Sequence, residues 1–234
     1  MMGYDRPLKP EWIFQTLRTI EPGRKPQEFY DMYNDIAVEL TGKHGRRKTR
    51  TVLYRTFIYN FQETETIIED NLLIQLCKSH DLAYMKPVLL SKFIIDYDIL
   101  RFFAEKFVQI FDTSQDVKST VVTAKMVEAF GDAEIIKRST RSFLKTLSDF
   151  GILEPKDKQT YLQAPRQLLS SEQVRDILKL FSISKHVAQI DIKHFSEPLF
   201  AFYQQPDLNA VANQFHPDEW EYVKGADRGL LMMG

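Results

Sequence analysis

The chain has 234 residues, of which 44% are hydrophobic and 27% charged, and its net charge is −1. The 17 Phe and 10 Tyr provide the material of a core, which excludes a disordered or fibrous protein. A single cysteine, Cys77, excludes a disulfide framework and a cysteine-ligated zinc site.

The first sixty residues predict three helices. Pro10 suits the first position of a helix, and apolar residues follow at helical spacing until Pro22-Gly23 ends the segment. A second helix is predicted from Pro26, with Gly42 as its C-terminal cap. The basic stretch 43–50 is predicted to be a turn that leads into a third helix. Three short helices in this order are typical of a helix-turn-helix-like bundle.

Two further helical regions are predicted at 65–79 and 82–111. The second is expected to be split where Asp96 and Asp98 interrupt its apolar pattern. Charged residues also interrupt 93–111, its most apolar part, so we expect a core helix and no membrane span. The N-terminal residues lack the apolar region of a secretory signal, and we therefore expect a cytoplasmic protein.

The polar stretch 113–116 is predicted to separate an all-helical N-terminal domain, 1–112, from a C-terminal domain, 113–234. A helix follows that stops at Gly131, and the next ends at Gly151, as a left-handed cap residue does. Two short strands around a polar turn then form a β-hairpin, with Ile152-Leu153 and Tyr161-Leu162 as the strands. We therefore expect a mainly α protein whose helical N-terminal bundle precedes a winged-helix-like C-terminal domain with an extension.

The last segment opens with a capping box, in which Ser170 and Gln173 begin a helix. Strands are predicted at 190–192 and 199–203. Residues 230–233 are predicted to be an edge strand or a frayed end.

Sequence motifs of the common enzyme classes do not occur: there is no dinucleotide-binding, P-loop, zinc-protease or nucleophile-elbow pattern. None of the histidines forms an i,i+4 pair, and Asp96 and Asp98 on a helix would point about 200° apart. We expect no catalysis, no cofactor and no metal.

Charge alternates along the chain. Residues 1–61 carry 11 basic and 7 acidic residues and 113–166 carry 9 and 7, whereas 62–112 and 167–234 are net acidic. A near-neutral chain can therefore still present a basic face.

The first group of candidate site residues, called the N-terminal cluster, lies around the start of the third helix. It comprises Lys43, Arg46, Arg47, Lys48, Arg50 and Arg55. With the hydroxyls of Thr49 and Thr51 and the amides of a helix that starts near Arg47, it suits a phosphate backbone. The alternatives are a solvated loop or a cluster neutralised by nearby acids, which are Glu63, Glu65, Glu69 and Asp70.

The second group, called the C-terminal cluster, lies on the helix before Gly151 and on the hairpin. It comprises Lys137, Arg138, Arg141, Lys145, Lys156 and Lys158. An apolar stripe on the opposite face predicts that the helix cations face outward, without acids to neutralise them locally, where a major groove could receive them. The alternatives are a charged outer face with no ligand and a protein–protein module.

Four segments carry a resemblance to a known family. The runs RTVLYRTFIYNF, LLSKFIIDYDILRFFAEKFVQIF, KRSTRSFLKTLSDFGIL and YLQAPRQLL resemble the BrxA proteins of bacteriophage exclusion (BREX) systems, over roughly residues 10–180. That family is small, cytoplasmic, mostly helical and DNA-binding, and it is encoded beside a methyltransferase, an ATPase and a phosphatase-like protein. The N-terminal half also resembles, remotely, the helical RNA-binding antitermination fold.

The resemblance implies a non-enzymatic role in phage defence. It implies that the start of a helix carries the basic residues Arg46, Arg47, Lys48, Arg50 and Arg55. It further implies a second helix-turn-helix that carries Arg138, Arg141 and Lys145. Residues beyond about 182 have no counterpart in it.

The expected function is binding of double-stranded DNA, mainly through its backbone, by a monomer or weak homo-oligomer in contact with other BREX proteins. Three alternatives stay open. A transcriptional regulator would bind a palindromic site as a dimer. An adaptor would dock a basic partner through its acidic segments, and an antitermination-type protein would bind RNA.

Overall fold

A computed structural model describes residues 4–59, 67–111 and 115–233. Within these ranges the protein is mainly helical, as the sequence predicts, and has two small antiparallel sheets of three strands. The α-helices are α1 (Pro10–Thr19), α2 (Tyr30–Ile36), α3 (Lys43–Phe57), α4 (Leu72–Ser79), α5 (Leu82–Asp96), α6 (Asp98–Ile110), α7 (Ser119–Phe130), α8 (Glu134–Asp149), α9 (Ser171–Lys185) and α10 (Leu208–Gln214). The strands are β1 (Val117–Lys118), β2 (Leu153–Pro155), β3 (Thr160–Gln163), β4 (Gln189–Asp191), β5 (Trp220–Lys224) and β6 (Gly229–Met233).

Helix α5 forms the centre of the core. Ten of its 15 residues are buried, and α1, α3, α4, α6 and α9 all pack against it. A helix that is apolar on every side is stable only when other elements surround it. The predicted split after Asp96 is confirmed, because Tyr97 has an extended backbone between α5 and α6.

A buried ion pair lies within this helix. The Lys92 ammonium is 2.9 Å from Asp96 Oδ2 and 3.0 Å from Ser184 Oγ on α9, and both charged side chains are nearly inaccessible. Burial lowers the pKa of Lys92 and raises the pKa of Asp96, because each charge has lost water. The attraction between the two side chains offsets that loss.

Residues before α1 pack against α8. The Tyr4 hydroxyl and Thr146 Oγ1 are 2.6 Å apart, and the Leu8 amide donates to both oxygens at 3.1 Å. The Tyr4 ring meets Phe143 of α8 edge-on. Buried residues from both halves of the chain thus belong to one core cluster. The boundary predicted at 113–116 lies partly outside the described residues, and the domain division stays a prediction.

The first sheet confirms the predicted hairpin. Strands β2 and β3 are antiparallel, with Leu153 opposite Gln163, and β1 adds to the other side of β3. The positive φ angles of Gly131 and Gly151, +87° and +80°, confirm both predicted helix ends, since glycine adopts this conformation without strain. The two-residue β1 was not predicted.

The C-terminal segment confirms the capping box and one strand. Ser170 and Gln173 exchange both hydrogen bonds at the start of α9, and β4 covers most of the predicted strand at 190–192. The strand predicted at 199–203 is wrong, because Pro198 begins a 3-10 helix, Pro198–Phe200. Strand β6 is the central strand of its sheet, between β4 and β5, and is neither an edge nor frayed.

Two predictions near the N-terminal cluster are corrected. Helix α2 ends at Ile36, and Gly42 precedes α3 as its N-cap residue. The basic stretch predicted as a turn is the first part of α3, because Lys and Arg are good helix formers.

The ion pair yields a prediction about stability. Lys92→Met leaves the Asp96 carboxylate buried without its partner, and we expect a loss of about 3–5 kcal/mol in the free energy of unfolding. Adding Asp96→Leu removes the orphaned charge and should restore stability to about the parent level or above. Urea denaturation of both variants measures this. A double variant as unstable as the single one contradicts the assigned role.

Candidate nucleic-acid interface

Half of the N-terminal cluster is engaged in holding the fold. The Arg46 guanidinium donates two hydrogen bonds to the Leu40 carbonyl, at 3.0 and 2.6 Å. Arg50 lies 3.6 Å from the centre of the Tyr30 ring, in a cation–π contact. Each of these two side chains ties α3 to the segment before it.

Arg55 is likewise engaged, donating to the Tyr97 hydroxyl at 3.3 Å. The hydroxyls predicted as phosphate donors are also engaged. Thr49 donates to the Gly45 carbonyl and Thr51 to the Arg47 carbonyl, each at 3.0 Å, as threonine often does one turn back along a helix. The free amides at the start of the helix belong to its first turn, at Lys43, and not to Arg47.

Three cations of the cluster remain available. Lys43, Arg47 and Lys48 are exposed, and within the described ranges none of their side chains has a hydrogen bond or ion pair. Lys43 and Arg47 are four residues apart and share one face of α3. Of the acids that could neutralise the cluster, Glu63 and Glu65 lie outside the described residues, and Asp70 accepts from Gln75 at 2.7 Å.

Helix α8 presents the C-terminal cluster in the predicted orientation. Phe143 and Leu147 are buried, whereas Arg138, Arg141 and Lys145 are exposed. The apolar stripe therefore identifies the inward face correctly.

The outward cations of α8 nevertheless have acidic partners. Glu134 Oε1 accepts from Arg138 at 3.1 Å and from Arg141 at 2.9 Å, and the hydrogen bond from Arg138 holds the pKa of Glu134 below its usual value. Asp149 accepts from Lys145 at 2.7 Å. The expectation that no local acid neutralises this cluster is wrong, and the i,i+4 spacing of two of these pairs was the available signal.

Two more cations of the cluster are paired as well. Lys137 contacts Asp132, and Lys156 on the hairpin is 2.7 Å from Asp116. Apart from Asp149, whose side chain is 14% exposed, the members of these pairs are well exposed to water, where an ion pair contributes little and is screened by salt. A phosphate can therefore replace the carboxylate at small cost. Among the described residues, Lys158 makes no hydrogen bond or ion pair.

A groove joins the α8 cations to the hairpin. A cavity of about 580 Å³ is bordered by Lys137 and Arg141 of α8, by Ser119 and Thr123 of α7, and by Gln159. A second cavity of about 520 Å³ shares Thr120 and Gln159 with the first. Lysines at its border are Lys118 and Lys158. Sequence reasoning missed the α7 hydroxyls and Lys118, because they lie outside any basic run and reach the groove only through the β1–β3 pairing.

The described part of the chain holds no group of three or more His, Cys, Asp or Glu side chains that could bind a metal ion. None of the described helices is both long enough and apolar enough to cross a membrane. Comparison with protein-family models, curated proteins and solved structures gives no match.

The division of the N-terminal cluster into engaged and available cations can be tested. Arg46→Ala leaves the Leu40 carbonyl without its charged donor and should lower the free energy of unfolding by about 1–2 kcal/mol. Its neighbour Arg47→Ala is the matched control and should change it by less than about 0.5 kcal/mol. Chemical denaturation of both measures the difference. Equal effects would contradict the division.

Proposed function

We propose that this protein binds double-stranded DNA, mainly through the phosphate backbone, and acts without catalysis in a bacteriophage exclusion system. The geometry supports the DNA-binding part of the proposal. The phage-defence part rests on the resemblance of residues 10–180 to BrxA proteins.

The order of elements supports a winged-helix-like unit within residues 98–163. Helix α6, strand β1, helices α7 and α8, and the hairpin follow one another, and the sheet order is β1-β3-β2. In such a unit α8 is the recognition helix, and the hairpin is the wing beside it. The three helices before residue 60 are, by the same proposal, a helix-turn-helix-like bundle that presents Lys43, Arg47 and Lys48.

The observation that carries the proposal is the two-sided character of α8. One face is fixed in the core, and the opposite face presents Arg138, Arg141 and Lys145 beside a groove that leads to Lys158. Arginine can donate two bonds to a phosphate or to guanine. A rigid helix with this outer face suits a DNA groove.

Hydroxyls that border the groove favour backbone contacts. Ser119 and Thr120 stand at the start of α7, beside Lys137 and Arg141 across the first cavity. Hydroxyl and cationic donors together are the usual partners of phosphate oxygens. Sequence preference is therefore expected to be weak.

The salt dependence of binding tests the proposal. With about five phosphates neutralised, the slope of log K against log salt should be about −4.5. Replacing Arg138 and Arg141 by Ala should flatten it by about 1.8. Fluorescence anisotropy with a labelled duplex at several salt concentrations measures the slope. Lys78→Ala with Lys106→Ala removes the same charge from α4 and α6 and is the matched control, with the parent slope expected.

Other outcomes support the alternative functions. Tighter binding of RNA than of duplex DNA favours an antitermination-type protein. Strong preference for one palindrome, bound as a dimer, favours a transcriptional regulator. A parent protein that fails to bind DNA at low salt ends the DNA hypothesis and leaves the adaptor.

The pairing of Glu134 with Arg138 and Arg141 predicts a variant that binds DNA more tightly than the parent. Glu134→Gln removes the carboxylate that competes with phosphate for Arg138 and Arg141, and should tighten duplex binding about threefold at low salt. Glu128→Gln is the matched control, since Glu128 pairs with Lys125 on α7 in the same way, and it should leave the affinity unchanged. Unchanged or weaker binding by Glu134→Gln contradicts a role for these arginines.

A further inference from the structure

A partly enclosed cavity of about 480 Å³ lies apart from the groove between α8 and the hairpin. Its borders are the first turns of α5, the turn that follows α8, and the segment after β3. Apolar side chains provide most of its wall, and these include Leu82, Pro87, Ile152, Phe150 and Phe202. This size and lining are typical of a small-molecule site.

The aromatic walls of the cavity are held in place by the core. Phe150 meets Phe93 of α5 edge-on, with ring centres 6.2 Å apart. Phe202 meets Phe107 of α6 at 5.4 Å. The space between them is therefore part of the fold and does not depend on loose surface side chains.

Two polar side chains in this wall have no partner. Tyr203 is only 4% exposed, and its phenol oxygen makes no hydrogen bond within the described part of the protein. Burial of the ring raises the pKa of Tyr203, so the hydroxyl stays a donor. Lys86 also borders the cavity, and it has neither a hydrogen bond nor an ion pair among the described residues.

The start of α5 adds to the preference for an anion. Leu82 and Ala83 border the cavity, and as the first residues of the helix they have amides without a helical acceptor. The positive end of the helix dipole lies there, one turn from Lys86. The N-cap Asp81 bonds the amide of Tyr84 at 2.8 Å and leaves those first two amides unbonded.

We propose that this cavity binds a small amphipathic carboxylate. Its apolar body, about the size of an aromatic ring with a short chain, lies between Phe150 and Phe202. Its carboxylate accepts from the Lys86 ammonium and the Tyr203 hydroxyl. A phosphate dianion fits less well, because the wall is mostly apolar and offers one cationic side chain. An uncharged hydrocarbon leaves both donors unsatisfied.

Binding of 4-phenylbutyrate, compared with 4-phenylbutan-1-ol, tests the proposal on the full chain. Isothermal titration calorimetry should give a Kd of about 1 mM for the acid, the affinity typical of a ligand of this size. The alcohol has the same apolar body without the charge and should bind about tenfold more weakly, which corresponds to ~1.4 kcal/mol. This comparison needs no variant and so does not depend on a mutant's folding.

Variants then locate the site. Lys86→Met should bring the acid to the affinity of the alcohol, whereas Lys78→Met on α4 should bind like the parent. Tyr203→Phe, which keeps the ring, should weaken the acid several-fold. Ala83→Phe should fill the cavity and abolish binding of both compounds. Three results would each overturn the proposal: no saturable binding of the acid at about 10 mM, equal affinity for acid and alcohol, or unchanged binding by Lys86→Met or Ala83→Phe.

Discussion

The burial of α5 on every side is the constraint on which the rest of this structure depends. Because the helix beyond its first turn has almost no face for water, the surrounding helices must cover it, and their positions relative to it cannot vary freely. Polar contacts between side chains set the position of α9. Tyr84 donates to Asp176 at 2.7 Å, and Lys92 donates to Ser184 at 3.0 Å. Tyr84 and Lys92 are eight residues apart on α5, and their partners Asp176 and Ser184 are eight residues apart on α9. The two helices therefore run in the same direction in a fixed register.

The same core determines what α8 can present. Its inner face is fixed by Phe143 and by the Thr146–Tyr4 contact, so its outer face cannot rotate inward. The cations on that outer face pair with Glu134 and Asp149. A helix arranged in this way has little net attraction for distant molecules, and it becomes strongly cationic only where the carboxylates are displaced. Under the proposed function, this arrangement would let a chain of nearly zero net charge bind a polyanion.

Most helices could be predicted because they depend on local patterns. The apolar period, the Ser170–Gln173 box and the stops at Gly131 and Gly151 are all properties of neighbouring residues. The candidate site was less predictable because its contacts are not local in this sense. No sequence pattern shows that Arg46 bonds the Leu40 carbonyl or that Arg50 covers Tyr30. A two-residue strand such as β1 is also too short to show the alternation of apolar and polar residues that identifies a strand. The pairing of Glu134 with Arg138, by contrast, could have been predicted from their i,i+4 spacing on a helix.

The central place of β6 has a consequence for the order in which the protein can fold. Strands β4 and β5 do not pair with each other, and each depends on β6 for its hydrogen bonds. During synthesis β6 leaves the ribosome after β4 and β5. Strand β4 therefore has no partner strand until almost forty further residues have been synthesised. The helices around α5 can already be packed at that time, because their contacts lie earlier in the chain. The sheet of β4, β5 and β6 can therefore be completed only after β6 is synthesised, on a surface that the helices around α5 can already form.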